Sequence, residues 1–230
     1  METTLHQQLK DHYSRPGSRQ EVPLGRYRID VVHRGRLIEI QHSGLGAIRD
    51  KIRKLLTEHK VDVVKPLVVR KMLVRLDKKQ GEVVSRRWSP HRGGQLDVFQ
   101  ELLHFVTVFP HPDLRLITPL VEVEEFRYPG HGRRRRWGKN DFVVQDRQMT
   151  EWVDCHEYKT ASDLAGLLPK TLSAVFHTKD LAAAMEIPTW QARQIAWVLR
   201  KTGAATEIGK QGNSITYKLA SRTKKRLASG

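Results

Sequence analysis

Asp30, Glu39 and Gln41 carry the chemistry of greatest consequence in this 230-residue chain. Side chains alternate along a strand, so Glu39 and Gln41 leave the segment RLIEIQHS on one face, and a short hairpin sets Asp30 of the preceding strand beside them. Two carboxylates then converge. Hard oxygen donors of this kind suit Mg²⁺ (or Mn²⁺), which takes one or two carboxylates, keeps several waters and completes its shell with phosphate oxygens. Such an ion polarises a phosphodiester and lowers the pKa of an attacking water. The plainer reading of the same three residues is the solvated face of an antiparallel sheet.

The elements that must position them follow from periodicity. Leu5, Leu9 and Tyr13 recur every four residues and predict a short helix that ends before Pro16 and Gly17. GRYRIDVVHR alternates, with Tyr27, Ile29 and Val31 on one face, and Arg34-Gly35 supplies a tight turn into RLIEIQHS. Beyond Gly44 and Gly46 the period becomes helical, and Leu45, Ile48, Ile52, Leu55 and Leu56 form one stripe to about His59. VDVVKPLVV has the apolar run of a single buried strand, and RKMLVRLDKKQGEVVSRRWS reads as a hairpin turning at Lys79-Gln80-Gly81. LDVFQELLHFVTVF predicts a helix from about Leu96, and residues 113 to 125 a further strand. The expected class is α+β.

Ile29-Asp30 and Glu39-Ile40-Gln41, set in helix-strand-strand-helix-strand order over residues 1 to 70, resemble the PD-(D/E)XK (restriction-endonuclease-like) nuclease superfamily. The resemblance implies a nuclease fold in which Asp30 and Glu39 bind the metal. It also implies that the third residue, usually Lys, orients or activates the nucleophilic water. Gln41 stands there instead, as it does in some restriction-type members, and a neutral amide cannot supply positive charge to the transition state. Lys51, Arg49 and Lys54 on the following helix are candidates to supply it. The family often places a further acid upstream, for which Glu21 is the first candidate. The whole layout, with the C-terminal module described below, resembles an uncharacterised bacterial family.

IEIQHSGLGAIRDKI also resembles a dinucleotide loop, but Arg49 occupies the third Gly position and VVKPLVV offers no acid for a ribose. The two glycines are read as turn residues, with the helix start and Arg49 able to hold a phosphate.

Forty-one Lys and Arg against 25 Asp and Glu leave a formal charge of +16, which favours a polyanionic partner, nucleic acid first. The segment RYPGHGRRRRWGKN at 127–140 has no acid, and Arg133, Arg134, Arg135 and Arg136 with Trp137 can neutralise phosphates and stack a base. From about Thr150 the composition turns helical. DLAGLLP is a short helix, HTKDLAAAMEI starts on Thr178 as N-cap, and TWQARQIAWVLRKTG ends at Gly203. AATEIG and SITYKLA follow, joined by Lys210-Gln211-Gly212-Asn213. Helix, turn, helix and basic hairpin predict a winged helix-turn-helix. Trp190, Gln191, Arg193 and Gln194 would meet base edges from its second helix, Arg200 shares the face of Arg193, and Lys210 and Asn213 in the wing would touch the backbone.

These readings divide the chain into a nuclease-like domain at 1–148 carrying the basic loop 127–140, a winged helix-turn-helix at 149–220, and a basic tail at 221–230. The expected function is a metal-dependent endonuclease acting on double-stranded DNA, with a homodimer admitted. The rival is a non-catalytic DNA-binding protein or regulator built on a decayed nuclease fold. Cys155 is the single cysteine, which excludes an internal disulfide and a Cys-rich zinc module. The eleven histidines show no HxH or HExxH spacing. No run of about 20 apolar residues is present to span a bilayer and no secretory signal opens the chain, so the expected location is cytoplasmic.

Overall fold

Thr3 caps the first helix. The structure, a computed structural model, describes residues 3–130 and 141–220. The Thr3 hydroxyl accepts the His6 amide, and α1 (Thr4–Tyr13) follows, ending ahead of Pro16 as its apolar spacing requires. Three antiparallel strands come next: β1 (Arg19–Leu24), β2 (Tyr27–His33) and β3 (Arg36–Ile40). Arg34 and Gly35 both adopt positive φ, 47° and 75°, which is the two-residue turn that matches the twist of a hairpin.

After a 3₁₀ turn at Leu45–Ile48 come α2 (Arg49–Leu55) and β4 (Lys60–Val64), which lies parallel to β3 with Glu39 beside Val63. Then follow β5 (Leu67–Leu76), β6 (Val83–Trp88), α3 (Val98–Leu102), β7 (Leu114–Pro129) and β8 (Phe142–Tyr158). The mixed sheet runs β1-β2-β3-β4-β7-β5-β6, with β8 paired to β7 outside that path. The rest comprises α4 (Ala161–Ala165), β9 (Val175–His177), α5 (Thr178–Met185), α6 (Thr189–Thr202), β10 (Ala205–Gln211) and β11 (Ser214–Leu219). The last three strands form a second sheet in the order β10-β11-β9. The class is therefore α+β, as expected.

Two compact units divide the chain. The first comprises Met1–Ser43, His59–Asp97 and Ile117–His156, and the second Gly44–Glu58, Val98–Leu116 and Glu157–Gly230. In the first, Leu5 and Leu9 of α1 pack on Val31, Ile38, Ile40, Val64, Val121 and Val123, so α1 covers one face of the large sheet. In the second, Phe176, Leu181, Ile195, Leu199 and Tyr217 are buried where α5 and α6 pack with the small sheet. Gly203 closes α6 with φ of 82°, a conformation in which a Cβ is costly.

Several boundaries differ from expectation. β1 was not anticipated, because RQEVPL carries Pro23, which a strand tolerates only near an edge. VDVVKPLVV is two strands: Pro66 interrupts it, and β7 lies between β4 and β5. The helix expected from Leu96 is a 3₁₀ turn at Gln95–Asp97 followed by the short α3. Residues 150–158, expected to begin the helical region, complete β8, so the second unit resumes at Glu157 rather than at 149. It also contains residues 44–58 and 98–116. The N-cap of α5 is His177, one residue before the expected Thr178. No helix among the described residues is long and apolar enough to cross a membrane.

Candidate functional site

The β2–β3 pairing runs His33 to Arg36, Val32 to Leu37 and Val31 to Ile38. The ladder ends there, and Asp30 and Glu39 are the next residues along their strands. Val31, Ile38 and Ile40 belong to the core under α1, so by alternation Asp30 and Glu39 leave from the other face of their strands. Glu39 is only 4% exposed. The carboxylate of Asp30 is held at the end of the ladder: its Oδ2 accepts the backbone amide of Ile40 at 2.7 Å, and Nε2 of His6 lies 3.4 Å away. The same His6 nitrogen is 3.1 Å from the Ile40 carbonyl oxygen. Thus α1 contributes an imidazole to the end of the strand pair that carries the two acids.

Gln41 continues β3 in extended form, its amide donating to the Val64 carbonyl at 2.8 Å, and its side-chain amide donates to the Ser43 hydroxyl. Lys65, which follows β4, is 5% exposed, and its ammonium donates to the carbonyls of His42 at 3.1 Å and Ser43 at 2.9 Å. The His42 ring stands 6.0 Å from that of His6. Burial, with the charges of His6, Arg147 and Lys65 behind it, lowers the pKa of His42. The segment just after Gln41 is therefore backed by positive charge.

Glu21 departs from its expected role. Its φ of 53° breaks the strand alternation, and its carboxylate pairs with the buried ammonium of Lys10 at 2.5 Å and with Arg28 at 2.7 Å. Among the described residues no group of three or more His, Cys, Asp or Glu stands close enough to hold a metal ion. By type, the two carboxylates and the amide would suit a hard cation that keeps most of its waters rather than an all-protein cage.

Arg49 and Lys51 are on α2 in the second unit, where Arg49 pairs with Asp50 at 3.2 Å and Arg53 pairs with the same carboxylate at 2.7 Å. The pKa of Asp50 is lowered by the hydrogen bond and charge of Arg49, with Arg53 behind them. Gly46 has a packing reason: a Cβ there would meet Cβ of His104 at 3.0 Å. On α6, Trp190 is 59% exposed, Arg193 is exposed, and Gln191 and Gln194 are half-buried. Arg200 is turned onto Glu207 of β10, which removes it from an outward face. Lys210 and Asn213 are exposed on the small hairpin. Arg133, Arg134, Arg135, Arg136 and the tail at 221–230 lie outside the described residues.

His6, Lys65 and Arg147 are the functional candidates that pattern reading missed. Lys65 was the most accessible of them, since a cation between Val64 and Pro66 in an apolar run needs a buried partner.

Residues 3–159 match a family described as a domain of unknown function (DUF8091). An uncharacterised protein of Treponema pallidum (strain Nichols) is 34% identical over 218 residues, covering 94% of this chain and 85% of that protein. No solved structure matches.

Proposed function

The chain belongs to the DUF8091 family, and from that premise and the geometry above we propose a metal-dependent, DNA-binding endonuclease of the PD-(D/E)XK type. The observation that carries the reading is the place of Asp30 on β2 and Glu39 on β3, each the next residue beyond the last pair of the ladder, Val31 and Ile38. The observed order is helix, three strands, helix, strand, in which β1 is inserted between α1 and the hairpin. Asp30 and Glu39 would hold Mg²⁺ or Mn²⁺. When bound, such an ion supplies polarisation of the phosphodiester and a lowered pKa for water. The chain's own residues would do the rest: the Ile40 amide holds Oδ2 of Asp30, and Gln41 would orient the water by its side-chain amide. Lys65 anchors the segment that follows.

In the second unit, α5, α6 and the β10–β11 hairpin are read as a winged helix-turn-helix. Trp190, Gln191, Arg193 and Gln194 would then enter the major groove, and Lys210 with Asn213 would meet the backbone. One observation favours a second reading, a DNA-binding protein without catalysis: the Asp30 carboxylate already accepts the Ile40 amide and neighbours His6.

One assay separates the two. Plasmid and linear duplex DNA are incubated in Mg²⁺ or Mn²⁺ with wild type, Asp30→Ala and Glu39→Ala. Cleavage by wild type, lost in both variants while DNA binding persists, supports the enzyme. Saturable, salt-sensitive DNA binding with no cleavage leaves the binding role alone. Gln41→Lys extends the test, because increased cleavage marks a site lacking only its charge.

A further inference from the structure

The first unit carries a cleft of about 430 Å³ whose walls come from β5, β6, β7 and the start of β8. Its size is that of a small-ligand site. Arg75, Arg87 and Arg127 line it together with Tyr128 and Phe142, and Asp141 is the single acid among the lining residues.

Register explains why the arginines converge. Arg75 of β5 lies directly beside Arg127 of β7, and Arg87 of β6 lies opposite Leu73, two residues before Arg75 on the same strand face. Like charges placed side by side on neighbouring strands are unfavourable unless an anion separates them. The nearby acid does not do so for all of them. Glu125, buried beneath, already takes Lys71 at 3.0 Å, Arg147 at 2.7 Å and Arg127. Arg75 and Arg87 carry no ion pair among the described residues. The opposite face of the same strands is balanced: Arg70 pairs with Glu122 at 3.5 Å and Arg86 with Glu124 at 2.7 Å. Cationic surplus is therefore confined to the face that forms the cleft.

Guanidinium groups offer forked donors matched to phosphate oxygens. Two rings add a stacking surface, and the Arg127 guanidinium already lies 3.9 Å over the centre of Phe142, fixing that ring and itself. We infer that this cleft binds a nucleotide, with its phosphate on Arg75 and Arg87 and its base at the aromatic end lined by Phe142 and Tyr128. The nucleotide is either free or one unit of a single-stranded polynucleotide. The site is separate from Asp30 and Glu39 and does not rest on the endonuclease reading.

The test uses the full-length protein at about 0.15 M salt, where screening limits unspecific attraction. ATP and inorganic pyrophosphate are titrated by calorimetry, and a fluorescein-labelled oligothymidylate by anisotropy. Compared are wild type, Arg75→Ala/Arg87→Ala, and Arg86→Ala as the variant of the balanced face, all three checked for an unchanged melting temperature. The expected result is saturable binding by wild type that weakens about 10- to 100-fold in the double variant and is unchanged in Arg86→Ala. Binding of ATP that displaces the oligonucleotide assigns a free nucleotide, and binding of the oligonucleotide alone assigns a polynucleotide. The inference is overturned if neither binds, if Arg86→Ala loses as much as the double variant, or if pyrophosphate binds as tightly as ATP, since no base contact then contributes.

Discussion

The carboxylate of Asp30 accepts the backbone amide of Ile40 at 2.7 Å, so the residue read as a metal ligand is also a brace for the strand that carries the second acid. The two roles separate by substitution. In Asp30→Asn the side-chain carbonyl still accepts the Ile40 amide, whereas Asp30→Ala leaves that part-buried amide without its acceptor and should cost about 1–3 kcal/mol. Urea unfolding should therefore show Asn near wild type and Ala clearly below it. Metal-dependent cleavage should be abolished in both, because the amide brings no charge to a divalent ion. Equal cleavage by Asn and wild type would remove Asp30 from the ligand set.

Glu125 is the electrostatic keystone of the neighbouring face. It is 1% exposed, and although burial raises its pKa, the hydrogen bond and charge of Arg147, with Lys71, bring it down to about 2. A carboxyl depressed in the folded state adds stability above its unfolded pKa and loses it as pH falls toward the folded value. Wild-type stability should thus fall from about pH 4.5 toward pH 2. Glu125→Gln should lower stability by about 3 kcal/mol at neutral pH by stranding its cations, and its stability should fall less over that acid range. Urea titrations between pH 2 and 7 measure both, and parallel pH curves for the two proteins would contradict the assignment.

On α6, Trp190 and Arg193 are exposed while Ala192, Ile195 and Leu199 are buried, so substituting the first two should leave folding intact. If α6 enters a groove, Arg193→Ala should weaken duplex DNA binding by about 1–3 kcal/mol, the range for a direct base contact. Arg200→Ala should do less to binding, because Arg200 is engaged by Glu207. Anisotropy with labelled duplex at two salt concentrations checks this. A larger loss for Arg200 than for Arg193 would point to a different binding face.

How far such features can be read from residues alone depends on sequence distance. The hairpin that carries Asp30 and Glu39 was legible because alternation and the Arg34-Gly35 turn act within a dozen residues. The spacing of Leu5 and Leu9 likewise revealed α1. β1 stayed hidden, since its polar RQEV has no apolar period and Pro23 argues against a strand. The split of VDVVKPLVV was hidden for another reason: β7, which separates the halves, comes some fifty residues later. At the site, the placing of Glu39 on the second strand of the hairpin could be read directly. His6 reaching Ile40 and Lys65 reaching Ser43 could not, because a helix and a parallel crossover first have to bring them together.

Lys65 offers the clearest test of that hidden part. Its ammonium is almost fully buried and donates to the His42 and Ser43 carbonyls, directly after the residue proposed to orient water. A buried ammonium is tolerated only where its donors are satisfied, and the carbonyls in turn depend on it. Lys65→Met keeps the length of the side chain and removes the donors, so the loss should be about 2–3 kcal/mol, the value of charge-assisted hydrogen bonds. The Gln41 amide, bonded to Val64, should exchange faster with solvent as the segment loosens. If the endonuclease reading holds, cleavage should fall along with that protection, since Gln41 would no longer be held in one orientation. Unchanged unfolding and unchanged exchange in Lys65→Met would mean that the clamp contributes nothing and that Gln41 is positioned by β4 alone.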